Sequence, residues 1–281
     1  MVWLPRWGCD GMIGSAQKLL MARAGVPSGP PPDWDFSSFA YTGNSYTASQ
    51  QALPNGLYFK SDGTTFIICG LGGDTAYQYD LSTAWDISTA SYSGKSFYHG
   101  AAANAQDIYV EADGSAFYLV DFNSTSGVVY KYPMTTAWDV SSASYLTVSS
   151  YDTSRGSRRG LSFSDDGVYM FVSGNGAAYR YTLSTPWDVT TAGSELAAPS
   201  ACNDLQAISL SPNGTSLAGS KTDGNVYLFK MSVGFDISKL SLVSTHSVGT
   251  QVSQPYGLFV SADGSNIYTH EFFAPIYQYS A

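Results

Sequence analysis

An aromatic–Asp pair recurs five times along the chain, and the steps between copies are 51, 53, 49 and 48 residues. The five copies are Trp34-Asp35, Trp85-Asp86, Trp138-Asp139, Trp187-Asp188 and Phe235-Asp236. Two further motifs keep the same spacing: a short apolar segment that ends in Asp-Gly or Asn-Gly, and an alternating aromatic pair such as Tyr77/Tyr79. A fixed period of this length is the signature of a repeat fold. The sequence therefore predicts five copies of one structural unit.

Each unit predicts four antiparallel strands. Strand A ends at the Asp-Gly turn, where glycine allows the positive φ of a tight hairpin, and strand B follows. Strand C carries the aromatic pair, whose two rings lie on one face because side chains alternate along a strand. The aromatic–Asp pair comes next, and then strand D. Four antiparallel strands per repeat are typical of a propeller blade, so residues 34–281 are predicted to form an all-β, five-bladed β-propeller with its repeated aromatic residues packed between blades.

The spacing also predicts how the ring closes. In the four internal units, the second aromatic residue of strand C precedes the next Trp or Phe by six residues. If Pro31 followed Ala281 directly, Tyr279 and Trp34 would be separated by the same six residues. Residues 34–47 are therefore predicted to supply strand D of the last blade, so that an N-terminal strand closes the propeller and removes a free edge. The alternative is an open stack of the same units.

Charge and motifs argue against several classes of function. The formal net charge of −9 disfavours binding to nucleic acid or to an anionic membrane surface, and no apolar run is long enough to insert across a bilayer. The sequence has no nucleophile-elbow, zinc-protease or phosphate-loop motif, and we expect neither a metal nor a cofactor. A glycoside hydrolase needs a pair of carboxylates. The acids that remain possible for such a pair are Asp107, Glu111, Asp121, Asp204 and Glu271. Their scatter through a regular repeat favours a non-enzymatic protein.

Residues 1–33 lie outside the repeat. Apolar residues at helical spacing predict a short helix over residues 11–24, and prolines within residues 27–32 predict a stiff, extended linker. We interpret this region as an N-terminal anchoring arm that inserts into a neighbouring subunit. The alternative is a helix that folds back onto the flank of its own propeller. The residues expected to anchor the arm are Trp3, Leu4, Trp7, Met12, Ile13, Leu19 and Leu20.

The loops that enter strand A differ most between units, and variable loops on a rigid scaffold often carry function. They are expected to share one propeller face with the loops between strands B and C. On this face we predict a polar ring around the channel mouth and a cationic cluster that suits an acidic glycan or an acidic subunit. The alternative is a set of solvated loops. The predicted binding residues are Asn55, Gln106, Arg159, Gln206 and Tyr256 in the ring, Arg155 and Arg158 in the cluster with Arg159, and Tyr98 and His99 beside them.

The segments LSTAWDIS, MTTAWDVS and LSTPWDVT, at residues 81–88, 134–141 and 183–190, resemble the propeller repeats of virion proteins from tailed bacteriophages, often tail-fibre or tail-associated proteins. The resemblance covers residues 34–281, and related repeats also occur in bacterial surface proteins. The five-unit ring is more weakly similar to the sugar-binding propellers of the tachylectin type.

This resemblance implies a virion structural protein on the tail or capsid surface. Residues 1–33 would join it to other virion proteins, and the propeller would contact proteins or a host cell-surface glycan. The alternatives are a bacterial surface or secreted lectin, located outside the cell, and a glycoside hydrolase.

Overall fold

The computed structural model describes residues 33–122, 127–144, 149–154 and 156–281. Within these residues, twenty strands form five antiparallel sheets of four strands each. This arrangement confirms the all-β, five-bladed β-propeller. The seven residues expected to anchor the arm, its predicted helix and Arg155 lie outside the described residues.

The blades are numbered in the order of their first strands. Blade 1 consists of β2 (Pro54–Phe59), β3 (Thr65–Gly70), β4 (Thr75–Leu81) and β5 (Ala90–Tyr98). Blade 2 consists of β6 (Ala105–Val110), β7 (Ala116–Asp121), β8 (Val128–Pro133) and β9 (Ser149–Asp152). Blade 3 consists of β10 (Arg158–Phe163), β11 (Tyr169–Gly174), β12 (Tyr179–Leu183) and β13 (Ala192–Ala197). Blade 4 consists of β14 (Ile208–Leu210), β15 (Ser216–Lys221), β16 (Asn225–Met231) and β17 (Leu240–Ser247). Blade 5 consists of β18 (Gly257–Val260), β19 (Asn266–His270), β20 (Ile276–Ser280) and β1 (Ala40–Tyr46).

The helices among the described residues are short 3-10 turns. They span Ile87–Thr89, Val140–Ser142, Val189–Thr191, Ser200–Cys202 and Ile237–Lys239. In this part of the chain, no helix is long and apolar enough to cross a membrane.

The ring is closed by a strand from the other end of the chain. The first strand of each blade contacts the first strands of its two neighbours, so that β18 of blade 5 contacts β2 of blade 1. The fourth strand of blade 5 is β1, which pairs antiparallel with β20 and places Tyr41 opposite Tyr279. This pairing confirms closure by the N-terminal strand, and it begins at Ala40. The two ends of the propeller are thereby held in one sheet.

The hairpin glycine and the Trp of each repeat pack against each other. In blade 2, Trp138 N donates a hydrogen bond to Gly114 O at 3.2 Å, and the Trp138 ring occupies the space that a Cβ on Gly114 would need. Gly114 has a φ of +75°, which glycine adopts without strain. The equivalent pairs are Gly63–Trp85, Gly167–Trp187, Gly214–Phe235 and Gly264–Trp34. The two sequence motifs keep the same period because they form one contact.

The aspartate of each aromatic–Asp pair fixes the turn that follows it. In blade 1, the Asp86 carboxylate accepts a hydrogen bond from Ser88 N at 3.0 Å and caps the 3-10 turn Ile87–Thr89. The same contact to the backbone N–H two residues later is made by Asp35, Asp139, Asp188 and Asp236. A side-chain cap of this kind satisfies an N–H that the turn leaves unpaired, which accounts for the recurrence of aspartate.

The aromatic pair on strand C joins neighbouring blades, as predicted. Its second member is buried, and in blade 2 the Tyr132 hydroxyl donates to His99 O, in the connection from blade 1, at 2.8 Å. In blades 1, 2, 3 and 5 the residue between the two aromatics is polar and forms a hydrogen bond to the next blade. In blade 3 this residue is Arg180, whose Nη1 donates to Phe235 O at 2.8 Å. Strand C therefore carries both the aromatic core and the polar links between blades.

Candidate functional site

Three members of the predicted polar ring are buried. The exposed fractions are 1% for Asn55, 7% for Gln106 and 6% for Gln206. Asn55 Nδ2 donates to Ala105 O, at the start of the next blade, at 3.3 Å. Gln106 and Gln206 each donate to the backbone carbonyl two residues earlier, at 3.1 and 3.0 Å. These three predicted binding side chains are buried and do not line an open channel mouth. The Asn55 amide links its blade to the next, and the two glutamine amides brace the backbone just before them.

The two described arginines of the predicted cationic cluster, Arg158 and Arg159, differ in how deeply they are buried. Arg158 is only 4% exposed, and its guanidinium donates to Gly156 O at 3.1 Å, to Asn175 O at 2.9 Å and to Ala177 O at 2.8 Å. The prediction of Arg158 as a surface docking residue is wrong, because these carbonyls belong to two loops of blade 3 that the side chain holds together. Arg159 is partly buried, with its guanidinium 5.1 Å from the centre of the Phe122 ring. Burial lowers the pKa of Arg159 below its usual value.

The predicted surface residue His99 is also buried, with no exposed area. Burial lowers its pKa to about 4, so the ring is neutral at pH 7. A second histidine, His270 on β19, is equally buried, and its pKa is lowered to about 4 for the same reason. Backbone groups of Ala102 beside His99, and of Glu271 and Asn55 beside His270, act in the opposite direction but do not outweigh the effect of burial on either pKa. Sequence reasoning did not select His270, because only the strand pairing places it next to Gly257.

Three large aromatic side chains at this face are wholly or partly exposed, and a fourth stacks on one of them. Tyr98 is 64% exposed. Tyr256 stacks on Phe272 with ring centres 4.2 Å apart, and the neighbouring Phe273 is 80% exposed. Phe272 and Phe273 lie in the loop between β19 and β20, and sequence reasoning missed them. The signal available was the Phe-Phe pair next to Pro275, since an apolar pair in a turn segment has no strand face in which to be buried.

Asp107 occupies a position that glycine or alanine holds in the other blades. The residue seven positions before each hairpin glycine is Gly56, Asp107, Gly160, Ala207 or Gly257. Asp107 Oδ1 accepts from Ile108 N and Oδ2 accepts from Leu161 N of blade 3, both at 2.9 Å. Burial raises the pKa of this carboxyl well above its usual value. Both oxygens therefore join two inner strands.

Glu111 forms a polar cluster with residues of its own blade. Its carboxylate accepts from the Tyr118 hydroxyl at 2.6 Å and from Ser115 Oγ at 2.8 Å. Lys131 Nζ lies 2.9 Å from it and also donates to Trp187 O at 3.1 Å. The carboxylate thus positions a lysine that reaches blade 3.

The other three candidate carboxylates support loops. Asp121 accepts from Asn104 N at 2.6 Å, Asp204 accepts from Gly176 N at 2.9 Å, and Glu271 accepts from Gln254 N at 2.9 Å. Nowhere in the described ranges do three His, Cys, Asp or Glu side chains gather in a way that could hold a metal ion. The arrangement of these acids fits a role in stabilising connections between strands.

Comparison of the chain with protein-family models finds no match, and comparison with curated proteins finds no relative.

Proposed function

We propose that this β-propeller is a non-enzymatic virion structural protein of a tailed bacteriophage that mediates contact with other proteins or with the host surface. In this proposal residues 1–33 anchor it to the tail or capsid. The proposal that the protein is not an enzyme rests on the hydrogen bonds of the five candidate carboxylates. Each of them accepts hydrogen bonds that hold strands or loops in place. An acid that serves as a structural acceptor is poorly placed to transfer a proton to a glycosidic oxygen.

The architecture supports a binding role. The repeated residues are used for packing, and the residues that differ between blades lie in loops and on outer strands, where a rigid scaffold can present them. The virion part is supported by the resemblance of the segments at 81–88, 134–141 and 183–190 to phage propeller repeats. The net charge of −9 favours a partner other than nucleic acid.

The second candidate function is a free carbohydrate-binding propeller of a bacterial surface. The observation that favours it is the aromatic group formed by the exposed Phe273 and the partly exposed Tyr256 and Phe272, because aromatic rings are common contacts for ligands at open sites. The two candidates differ in where the protein resides. A virion protein co-purifies with particles at fixed copy number, whereas a free lectin does not.

The test is a complementation experiment with particles that lack the chain. The full chain and a variant without residues 1–30 are supplied separately, and purified particles are probed with an antibody against the propeller. We expect the full chain to be incorporated and the shortened chain to fold but to be absent from the particles. Incorporation of the shortened chain at normal copy number would assign the docking surface to the propeller, and absence of the full chain would overturn the virion proposal.

A further inference from the structure

We propose that the Arg159 guanidinium binds the carboxylate group of an acidic monosaccharide, whose ring packs against the aromatic side chains near Arg159. The inference rests on the proposed function, because it names the chemical class of surface glycan that the propeller would contact. Arg159 is the second residue of β10 (Arg158–Phe163), the first strand of blade 3. It therefore lies where the chain enters the inner ring of strands.

The same position in the other blades holds a side chain with a hydrogen bond. The residue eight positions before each hairpin glycine is Asn55, Gln106, Arg159, Gln206 or Tyr256. The three amides donate to backbone carbonyls, and the tyrosine hydroxyl donates to Gln254 Oε1 at 2.7 Å. Arg159 Nε is buried, and no described residue accepts a hydrogen bond from it. The fold therefore leaves a donor of Arg159 unsatisfied where the equivalent donors are bonded.

Within the described residues, the positive charge of Arg159 has no carboxylate partner. The ion pairs in this part of the chain are formed by lysines. Burial lowers the pKa of the Arg159 guanidinium, and the opposing influence comes from Tyr256 rather than from an aspartate or glutamate. The guanidinium nevertheless stays charged. A partly buried cation is costly without a partner, so the site gains from an anion that a ligand supplies.

Aromatic side chains from two other blades lie near this charge. The guanidinium is 5.1 Å from the centre of the Phe122 ring, in the loop between β7 and β8 of blade 2. Tyr256, just before β18 of blade 5, is close enough to affect the pKa of Arg159. Its ring stacks on Phe272 with centres 4.2 Å apart. All four side chains are partly exposed, so a ligand from solvent can reach them.

The loop that carries Phe272 presents a second ring to solvent. Phe273 is 80% exposed and has a φ of +58°, a conformation that is costly for a bulky residue. Strained residues of this kind cluster at binding sites. Tyr256, Phe272 and Phe273 together offer apolar surface to the C–H groups of a sugar.

The single guanidinium selects a ligand with one carboxylate. The planar fork of an arginine matches a carboxylate with two parallel hydrogen bonds. A phosphate dianion or a peptide with several acidic side chains would meet stronger repulsion from a chain of net charge −9. A neutral sugar would leave the guanidinium unpaired. A monosaccharide with one carboxylate satisfies the cation and also provides a ring for the aromatic side chains.

The test uses the full chain and four separate ligands: glucuronic acid, N-acetylneuraminic acid, glucose and a glutamate-rich peptide. Glucose is the matched control for glucuronic acid, because the two differ in the carboxylate at one carbon. Saturation-transfer NMR detects binding, and calorimetric titration measures the dissociation constant. We expect at least one acidic sugar to bind about tenfold more tightly than glucose, and the peptide to bind more weakly than that sugar.

The variant Arg159→Gln places in blade 3 the residue that blades 2 and 4 carry at this position. It should weaken binding of the acidic sugar about tenfold while the melting temperature stays close to that of the wild type. Its control is Lys239→Gln, which removes the same charge from an exposed position of blade 4 and should bind as the wild type does. Arg159→Lys keeps the charge without the planar fork, and its affinity should lie between those of the wild type and Arg159→Gln.

Three results would overturn the proposal: no binding of either acidic sugar, equal affinity for glucose and glucuronic acid, or equal affinity of the wild type and Arg159→Gln. Tighter binding of the acidic peptide would assign the site to a protein partner instead. A failure of the virion proposal has a different signature, because particles would then lack the chain even though the purified chain binds the acidic sugar.

Discussion

Trp34 in the N-terminal segment contacts Gly264 in the hairpin of blade 5. The coupling energy between substitutions at these two positions therefore measures the closure of the ring. The Trp34 side chain is 2% exposed, and its Nε1 donates to Ala262 O at 3.3 Å across 228 positions of sequence. Gly264 has a φ of +73°, and a Cβ added to it would overlap the Trp34 ring. Replacing Gly264 by Ala therefore brings two penalties. The left-handed backbone costs about 1–2 kcal/mol, and the overlap costs about 1–3 kcal/mol.

Only the second penalty depends on Trp34, which makes a double-mutant cycle informative. In a Trp34→Ala background the overlap disappears, so Gly264→Ala should cost only the backbone term, and the coupling energy should be about 1–3 kcal/mol. The matched control is Gly73→Ala, because Gly73 has a φ of +88° and a Cβ there would meet nothing within 4 Å. Trp34→Phe serves if the alanine variant is too unstable, since blade 4 carries Phe235 against its hairpin glycine.

The free energy of unfolding is obtained from urea titrations followed by far-UV circular dichroism. Additive effects of Trp34→Ala and Gly264→Ala, within about 0.5 kcal/mol, would refute the reasoning. So would a Gly264→Ala variant as stable as Gly73→Ala, because the hairpin of blade 5 would then not be covered by the N-terminal segment.

Three further predictions concern buried polar groups. His99 and His270 have pKa values of about 4 in the folded chain, below the unfolded value of about 6.5. Their contribution to stability is therefore present above pH 6.5 and is lost as the pH falls towards 4. Urea unfolding at pH 7 and pH 5 should show a loss of about 2 kcal/mol in the free energy of unfolding per histidine, and His270→Gln should reduce that loss. Arg158→Ala should destabilise the chain by about 2–4 kcal/mol through lost charge-assisted hydrogen bonds, whereas Arg159→Ala should cost less than half as much; equal melting temperatures would contradict this difference. Tyr132→Phe should cost about 1 kcal/mol in the same assay, because it removes a 2.8 Å hydrogen bond to His99 O and leaves the ring in place, and an unchanged midpoint would show that the bond contributes nothing.

The fold could be predicted because its determinants recur in sequence. Each of the three motifs has a local structural role: the hairpin glycine, the aromatic–Asp pair and the alternating aromatic pair. Their spacing repeats because each blade needs the contact that Gly114 and Trp138 make in blade 2. The closing strand was predictable for the same reason. Trp34 fits the spacing of the other copies if it follows the last strand of the chain. The pairing of β1 with β20 places Trp34 against Gly264, the hairpin glycine of blade 5.

The exposure of the candidate site residues could not be read from the sequence. Arg158 is polar and lies at the start of a strand, and nothing local shows that Asn175 O and Ala177 O approach its guanidinium from another loop. His99 belongs to the same predicted loop as Tyr98, but only Tyr98 is exposed. Burial of a loop residue depends on the neighbouring blade, and that relation appears only when the blades are assembled.

Departures from a repeat differ in whether the rest of the fold compensates for them. Asp107 replaces a glycine or alanine, and two backbone N–H groups satisfy its oxygens. Leu228 stands between the aromatic pair of blade 4, where blade 3 has Arg180, and the polar link is made nearby by Lys230, whose Nζ lies 3.2 Å from Asp33. At Ser194, where blades 1 and 5 carry tyrosine, the fold leaves an open cleft lined by Tyr151, Tyr181 and Glu195, so this departure is exposed to solvent and no other side chain of the described residues fills its place.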